Sequence, residues 1–161
     1  MGSPQETSSC SSIVNDDRIV LMGLLTEVDA RLQRVLGVEL EAACGITLPW
    51  LEVLIRLRRS PAGRLTMSEV ADQTVYTSGG TTRLVDRIEE AGLVQRVHCP
   101  TDRRTTFLEL TPEGIRSLDI ATSSHLEHLE RYLTSQLTSS ETATLISALT
   151  KLNGGVSCAE G

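Results

Sequence analysis

The chain has 161 residues, of which 40% are apolar, 22% charged and 2% aromatic, with a net charge of −6. This composition belongs to a folded globular domain and excludes a disordered, collagenous or disulfide-scaffold chain; no apolar run reaches the roughly 18–20 residues of a membrane span. The four aromatics, Trp50, Tyr76, Phe107 and Tyr132, are too few for a platform that stacks single-stranded bases, so the core is expected to be aliphatic.

The overall charge hides a split. Residues 56–104 carry nine arginines against six acids, a local charge of +3. Residues 1–55 come to −5 and residues 105–161 to −4. Only the middle is basic, which points to an anionic partner for that part alone. Fourteen of the 15 basic residues are arginine, the side chain that grips phosphate bidentately. Cys10, Cys44, Cys99 and Cys158 have the spacing of no zinc module. Residues 1–12 are polar and lack the apolar stretch of a secretory signal, so free thiols in a reducing cytoplasm are expected.

In chain order, residues 1–15 read as a mobile N-terminal tail. From Asp16, the apolar positions Leu21, Leu25, Val28, Leu32, Val35 and Leu36 recur at steps of three and four. They predict a long helix ending at Gly45, with Asp16 and Asp17 at its positive end. A helix with so narrow a stripe suits packing against another chain. Thr47-Leu48-Pro49 starts a second helix, with Thr47 as cap and Trp50, Leu51, Leu54 and Leu57 as its apolar face. Thr66-Met67-Ser68-Glu69 is a capping box that opens a short helix. A second short helix follows from Thr77-Ser78-Gly79-Gly80, with Leu84, Val85 and Ile88 facing inward and Gly92 as its stop. Two short helices joined by a tight turn predict a helix-turn-helix.

After Gly92 the period changes to two. Leu93–His98 and Phe107–Leu110 read as antiparallel strands around the polar turn Cys99–Thr105, whose tip is Asp102-Arg103-Arg104. Thr111-Pro112 opens a long helix carrying Ile115, Leu118, Leu126, Leu129, Leu133 and Leu137. Thr138-Ser139-Ser140-Glu141 is a second capping box, and the last helix is expected to end at Asn153, leaving residues 154–161 as a tail. The predicted fold is mainly α, an α+β winged helix of six helices with a two-stranded β-hairpin wing. Residues 46–110 are its winged lobe, and residues 16–45 and 111–153 a helical dimerisation region.

In such a fold the second helix of the pair enters the DNA major groove and reads from its N-terminal end. Here that end offers Ser78, Gly79, Gly80, Thr81, Thr82 and Arg83, which are small side chains, hydroxyls and one arginine. Two helical glycines cost about 1 kcal/mol each relative to alanine. Bare backbone at a helix N-terminus allows close approach to a phosphate or base edge; the plainer alternative is that the glycines only ease the turn. Arg103 and Arg104 sit on a tip with no apolar face to serve. A narrow A·T-rich minor groove attracts arginine, although a solvated turn has the same composition.

These residues resemble the MarR family of dimeric winged-helix transcriptional regulators. The resemblance rests on Leu65–Ala71, on Thr82–Val94, on Asp102-Arg103-Arg104 as an Asp-x-Arg wing signature, and on Leu110-Thr111-Pro112-Glu113-Gly114. It covers about residues 16–153. The resemblance implies that Arg104 enters the minor groove with Asp102 in support. It also implies that Ser78 to Arg83 face the major groove, and that the first, fifth and sixth helices form a homodimer interface. Where the family often has Ser-Pro-Ser-Thr, this chain has Thr77-Ser78-Gly79-Gly80.

The expected function is therefore a sequence-specific regulator of double-stranded DNA, a repressor that binds an inverted-repeat operator as a homodimer. Ser68, Arg83, Arg87, Asp102, Arg103 and Arg104 join the helix-start residues as the DNA-binding set. The resemblance adds a small-molecule effector between the dimer helices and the DNA-binding lobe; Trp50 is a candidate to line its pocket, the plainer alternative being an ordinary core tryptophan. No cofactor and no membrane partner are expected. One alternative is a metal-responsive regulator in which His125 and His128, three apart on the fifth helix, share an ion. Another is a winged-helix adaptor that binds protein instead of DNA. No nucleophile–base pair stands out, so an enzyme is not expected.

Overall fold

In the computed structural model, which describes residues 14–74, 78–99 and 105–157, the first long helix is α1, Asp17–Cys44. Asp16 caps it, its side chain accepting from the Arg18 backbone N–H at 2.9 Å. Gly45 ends it in the left-handed region at φ 69°, where a side chain would be strained, and donates to the Glu41 carbonyl. Helix α2 is Leu48–Arg59. The expected Thr47 cap is not made: its side chain forms no capping bond.

Strand β1, Arg64–Thr66, precedes α3, Met67–Asp72. The expected capping box is present. The Thr66 hydroxyl accepts from the Glu69 N–H at 3.2 Å, and the Thr66 N–H donates to the Glu69 carboxylate at 2.7 Å. These bonds, led by the backbone N–H of Thr66, hold the Glu69 carboxyl below its usual pKa. Helix α4 spans Ser78–Glu90. Strands β2, Val94–His98, and β3, Thr106–Leu110, form the wing hairpin with Val94 opposite Leu110 and His98 opposite Thr106. The wing has a third strand that the sequence reading missed. β1 pairs antiparallel with β3, Leu65 opposite Leu108, giving the order β1-β3-β2.

Helix α5, Pro112–Tyr132, is capped by Thr111, whose hydroxyl accepts from the Gly114 N–H at 2.9 Å. It ends earlier than expected: Thr134–Gln136 form a 3₁₀ turn. Helix α6 runs Ser139–Ser157, opened by the Thr138–Glu141 capping box. It continues through Gly154 and Gly155, past the expected stop at Asn153. Glycine stops a helix by adopting positive φ, and among the described residues only Gly45, Gly63 and Gly92 do so.

The core lies between α2, α4, the wing sheet and α5. Leu40, Leu51, Leu54, Leu57, Ile88 and Leu108 are its largest fully buried side chains. The terminal helices contribute little to it. In α1 only Leu36 and Leu40 are buried, while Ile19, Leu21, Met22, Leu24 and Val28 stand exposed. In α6, Leu145, Ile146, Leu149 and Leu152 are all exposed. No helix of the described residues is long and apolar enough to cross a membrane.

Candidate nucleic-acid interface

Helix α4 has two faces. With 100° per residue, Thr81, Leu84, Val85 and Ile88 share one face, and all four are buried. Gly79, Thr82 and Arg83 share the opposite face and are exposed, with Arg87 beside them, its Nε donating to the Arg83 carbonyl at 3.4 Å. Thr81 is therefore a correction to the expected groove-facing set. It is 1% exposed, and its hydroxyl lies 3.3 Å from that of Thr74 at the end of the preceding helix. The reason is its place on the apolar stripe, three, four and seven residues before Leu84, Val85 and Ile88.

Gly79 bears on the two explanations for the glycines. Its φ is not positive, and a Cβ built on it meets nothing within 4 Å. Neither the backbone conformation of Gly79 nor the packing described around it requires glycine there. What the missing side chain leaves is bare, exposed backbone at the start of a helix, where N–H groups point outward. Gly80 is exposed as well. Ser78 opens the helix, but its side chain is outside the described residues, and so are Asp102, Arg103 and Arg104. Ser68 is exposed on the first turn of α3, its hydroxyl 3.1 Å from that of Thr66.

The end of α4 is tied to the start of α5. Gly92, at φ 74°, closes α4, and Leu93 donates back to the Ile88 carbonyl at 3.1 Å. Thr111 then docks there. Its hydroxyl donates to the Gly92 carbonyl at 2.6 Å, and its N–H to the Leu93 carbonyl at 3.0 Å. Gly114 completes the fit, since a Cβ on it would stand 1.8 Å from the Leu93 carbonyl oxygen.

One ion-pair cluster escaped the sequence reading. Arg96 on β2 donates to Asp86 Oδ1 at 2.7 Å, pairs with Glu89 through its other guanidinium nitrogen, and donates its backbone N–H to Glu89 Oε1 at 3.0 Å. Burial works against the charge on Arg96, but the hydrogen bond to Asp86 and the field of Glu89 outweigh it and raise its pKa.

A cleft of about 840 Å³ opens between α1, α2 and α5, lined among others by Asp29, Gln33, Glu52, Arg56, Arg59 and His125, with Gln73 from the end of α3. Trp50 does not line it. The α2 residues on that side are Leu48, Pro49, Leu51, Glu52, Ile55, Arg56 and Arg59, a helical stripe that leaves Trp50 on another face, packed against the core. The two histidines separate in role. His128 Nε2 lies 3.7 Å from Glu39 on α1, a carboxylate that also accepts from the Tyr132 hydroxyl at 2.9 Å. His125 faces the cleft, and burial, then the neighbouring His128, lowers its pKa. Among the described residues no three His, Cys, Asp or Glu side chains group as a metal site. Cys44 is a free thiol that donates to the Leu40 carbonyl at 3.1 Å.

Comparison with known proteins agrees with this geometry. Residues 45–105 match the family model described as MarR family. The chain is 30% identical over 145 residues to the multiple antibiotic resistance protein MarR of Salmonella typhimurium, covering 89% of this chain and 97% of that protein. Its structure is similar to a MarR family transcriptional regulator from Streptomyces coelicolor solved in complex with DNA. That match has a TM-score of 0.77 and 26% identity, over 84% of this chain and 85% of the other. It is also similar to a mutant MarR from E. coli complexed with operator DNA, at a TM-score of 0.75 and 29% identity over 85% and 96% of the two chains. This protein belongs to the MarR family of winged-helix transcriptional regulators.

Proposed function

We propose that this protein represses transcription by binding, as a homodimer, a pseudo-palindromic operator in double-stranded DNA, and that it is a regulator and not an enzyme. The observation that carries the reading is the exposed face of α4. It starts in bare backbone at Gly79 and continues through Thr82 and Arg83, within the only basic stretch of the chain. Ser78, Gly79, Gly80, Thr82 and Arg83 are assigned to the major groove, and Ser68 and Arg87 to flanking phosphates. Arg104, supported by Asp102 and flanked by Arg103, is assigned to the minor groove. The complexes of relatives with DNA support this assignment.

Dimerisation is assigned to α1, α5 and α6, whose apolar side chains the single chain leaves in water. Residues 46–110 are read as the DNA-binding lobe, and residues 16–45 and 111–153 as the dimer arms. The cleft touches both parts and has the size of a small-molecule pocket. A ligand bound there shifts the angle between arm and lobe, hence the separation of the two α4 helices and the affinity for DNA.

The test is selection of fragments from sheared genomic DNA of the host by the purified full-length chain. Enrichment of an inverted repeat with half-sites about one helical turn apart is expected. Recovery of fragments with no shared sequence would contradict the reading and favour the adaptor alternative.

A further inference from the structure

The Arg96 cluster joins two elements that the DNA-binding reading assigns to different grooves. Asp86 and Glu89 are on α4, the helix assigned to the major groove, and Arg96 is on β2, a strand of the wing. The three residues form a closed arrangement. One guanidinium nitrogen goes to each carboxylate, and the backbone N–H of the same arginine goes to the second oxygen of Glu89. Arg96 is the more buried partner, its side chain 28% exposed against 48% for Asp86 and 34% for Glu89. A planar guanidinium held at both nitrogens has little freedom to turn, so the contact fixes angle as well as distance.

The placement of Asp86 matters too. It follows Thr82 and Arg83 by four and three residues, on the exposed side of α4. A bare carboxylate on a face turned to phosphates is unfavourable, and stability alone gives little reason to keep one, because a half-exposed ion pair contributes little to folding. A brace that sets the helix against the wing accounts for both the position and the closure of the cluster.

We infer that Arg96 is a positioning residue for DNA recognition, bracing α4 against wing strand β2 through Asp86 and Glu89 so that helix and wing meet their grooves together. The inference rests on the DNA-binding reading, and it goes beyond the groove-contact residues assigned above, because Arg96 acts through other residues and not on a base.

The experiment uses the full-length dimer and a duplex of about 30 base pairs, three helical turns, recovered from genomic DNA by the wild-type protein. Fluorescence anisotropy is read across a salt titration. Arg96→Met is expected to weaken binding about tenfold and to lower the slope of log affinity against log salt by about one, as phosphate contacts of the wing are lost. A variant that is merely less stable loses active fraction and keeps its slope. The triple variant Asp86→Asn, Glu89→Gln, Arg96→Met carries no unpaired carboxylate and is expected to remain weakened. Its return to wild-type affinity would overturn the brace and leave charge neutralisation as the role of Arg96. Affinity of Arg96→Met within twofold of wild type overturns the inference outright. If circular dichroism shows Arg96→Met unfolded, Arg96→Lys decides. A single ammonium cannot hold both carboxylates in the plane of a fork, so a several-fold loss with a lowered slope is expected, and wild-type behaviour overturns the brace. Failure of the wild-type protein to retain any duplex is a different result and counts against the DNA-binding reading itself.

Discussion

The winged lobe and the terminal helices solve the burial problem in opposite ways. In the lobe, α2, α4 and the three-stranded sheet close on one another, and Leu51, Leu54, Leu57, Ile88 and Leu108 are at or near zero exposure. In α1 and α6 most apolar side chains are unburied: Leu36 and Leu40 of α1 are covered, but Leu24, Leu145, Ile146, Leu149 and Leu152 are all exposed. The lobe closes its core with Leu40 of α1 and with Leu118 and Ala121 of α5, whereas most of α1 and the apolar face of α6 are left uncovered in the single chain. Stability of the lobe therefore resides within one chain, and the exposed faces of α1 and α6 gain theirs only against a second surface, which the proposed dimer supplies. The Gly92–Leu93 turn against Thr111–Gly114 is the joint between the two regimes.

The sharpest way to break this comparison is at the joint. Gly114→Ala forces a methyl group to within 1.8 Å of the Leu93 carbonyl oxygen, a backbone atom that cannot move without displacing α5 or the end of α4. A loss of about 4 kcal/mol is expected, which lowers the melting temperature by about 10 °C. Calorimetry checks this, and an unchanged melting point would mean that arm and lobe are not joined here.

Next in size is a charge in the arm. Leu149→Glu places a carboxylate where the single chain leaves leucine 41% exposed, so the isolated lobe has nothing to lose. A buried leucine contributes about 2 kcal/mol, and a two-fold interface loses it twice. Sedimentation should show a folded monomer where the wild type is a dimer, with operator affinity reduced by two orders of magnitude or more.

Gly79→Leu separates folding from function within the lobe. The new side chain enters open space on a helix, so the melting temperature should hold or rise slightly. The side chain also stands between helix backbone and DNA, so anisotropy should show at least a tenfold loss of affinity. Equal affinity would return Gly79 to the role of a turn-easing residue.

The smallest effect is a pH dependence at the cleft. Burial, then His128, holds the pKa of His125 below its ordinary value of 6.5. The fold thus favours the neutral ring, and its contribution to stability is complete above pH 6.5 and is lost as pH falls from there through the lowered folded pKa. His125→Gln should flatten the denaturation midpoint between pH 7 and 5, and an identical pH profile in wild type and variant would remove the histidine from the account.

What could be read from the sequence follows the range of each signal. The capping boxes at Thr66–Glu69 and Thr138–Glu141 and the stops at Gly45 and Gly92 are local, and all four formed. The two strands of the hairpin followed from alternation, and their register is seen only in the structure. Strand β1 was missed because three residues are too short to show a period, and its partner lies more than 40 residues away in β3. Thr81 was read as a hydroxyl facing DNA when its spacing to Leu84, Val85 and Ile88 already placed it inward. That signal was present and was outweighed by residue type. The Arg96 cluster spans seven and ten residues across a turn, a separation set by packing and visible only in three dimensions. Of the two readings of Trp50, its packing against the core fits the plainer one, and the helical stripe through Leu48, Glu52, Ile55 and Arg59 leaves it out of the cleft.

The central claim is that two copies of this lobe grip one duplex on the same side, each through the Gly79 end of α4. Hydroxyl-radical footprinting on a selected duplex, with the mass of the complex measured in parallel, tests it most directly. Two protected half-sites about 10 base pairs apart, bound by one dimer, are the predicted result. A single protected half-site occupied by one chain, or a uniform pattern without protection, would contradict it.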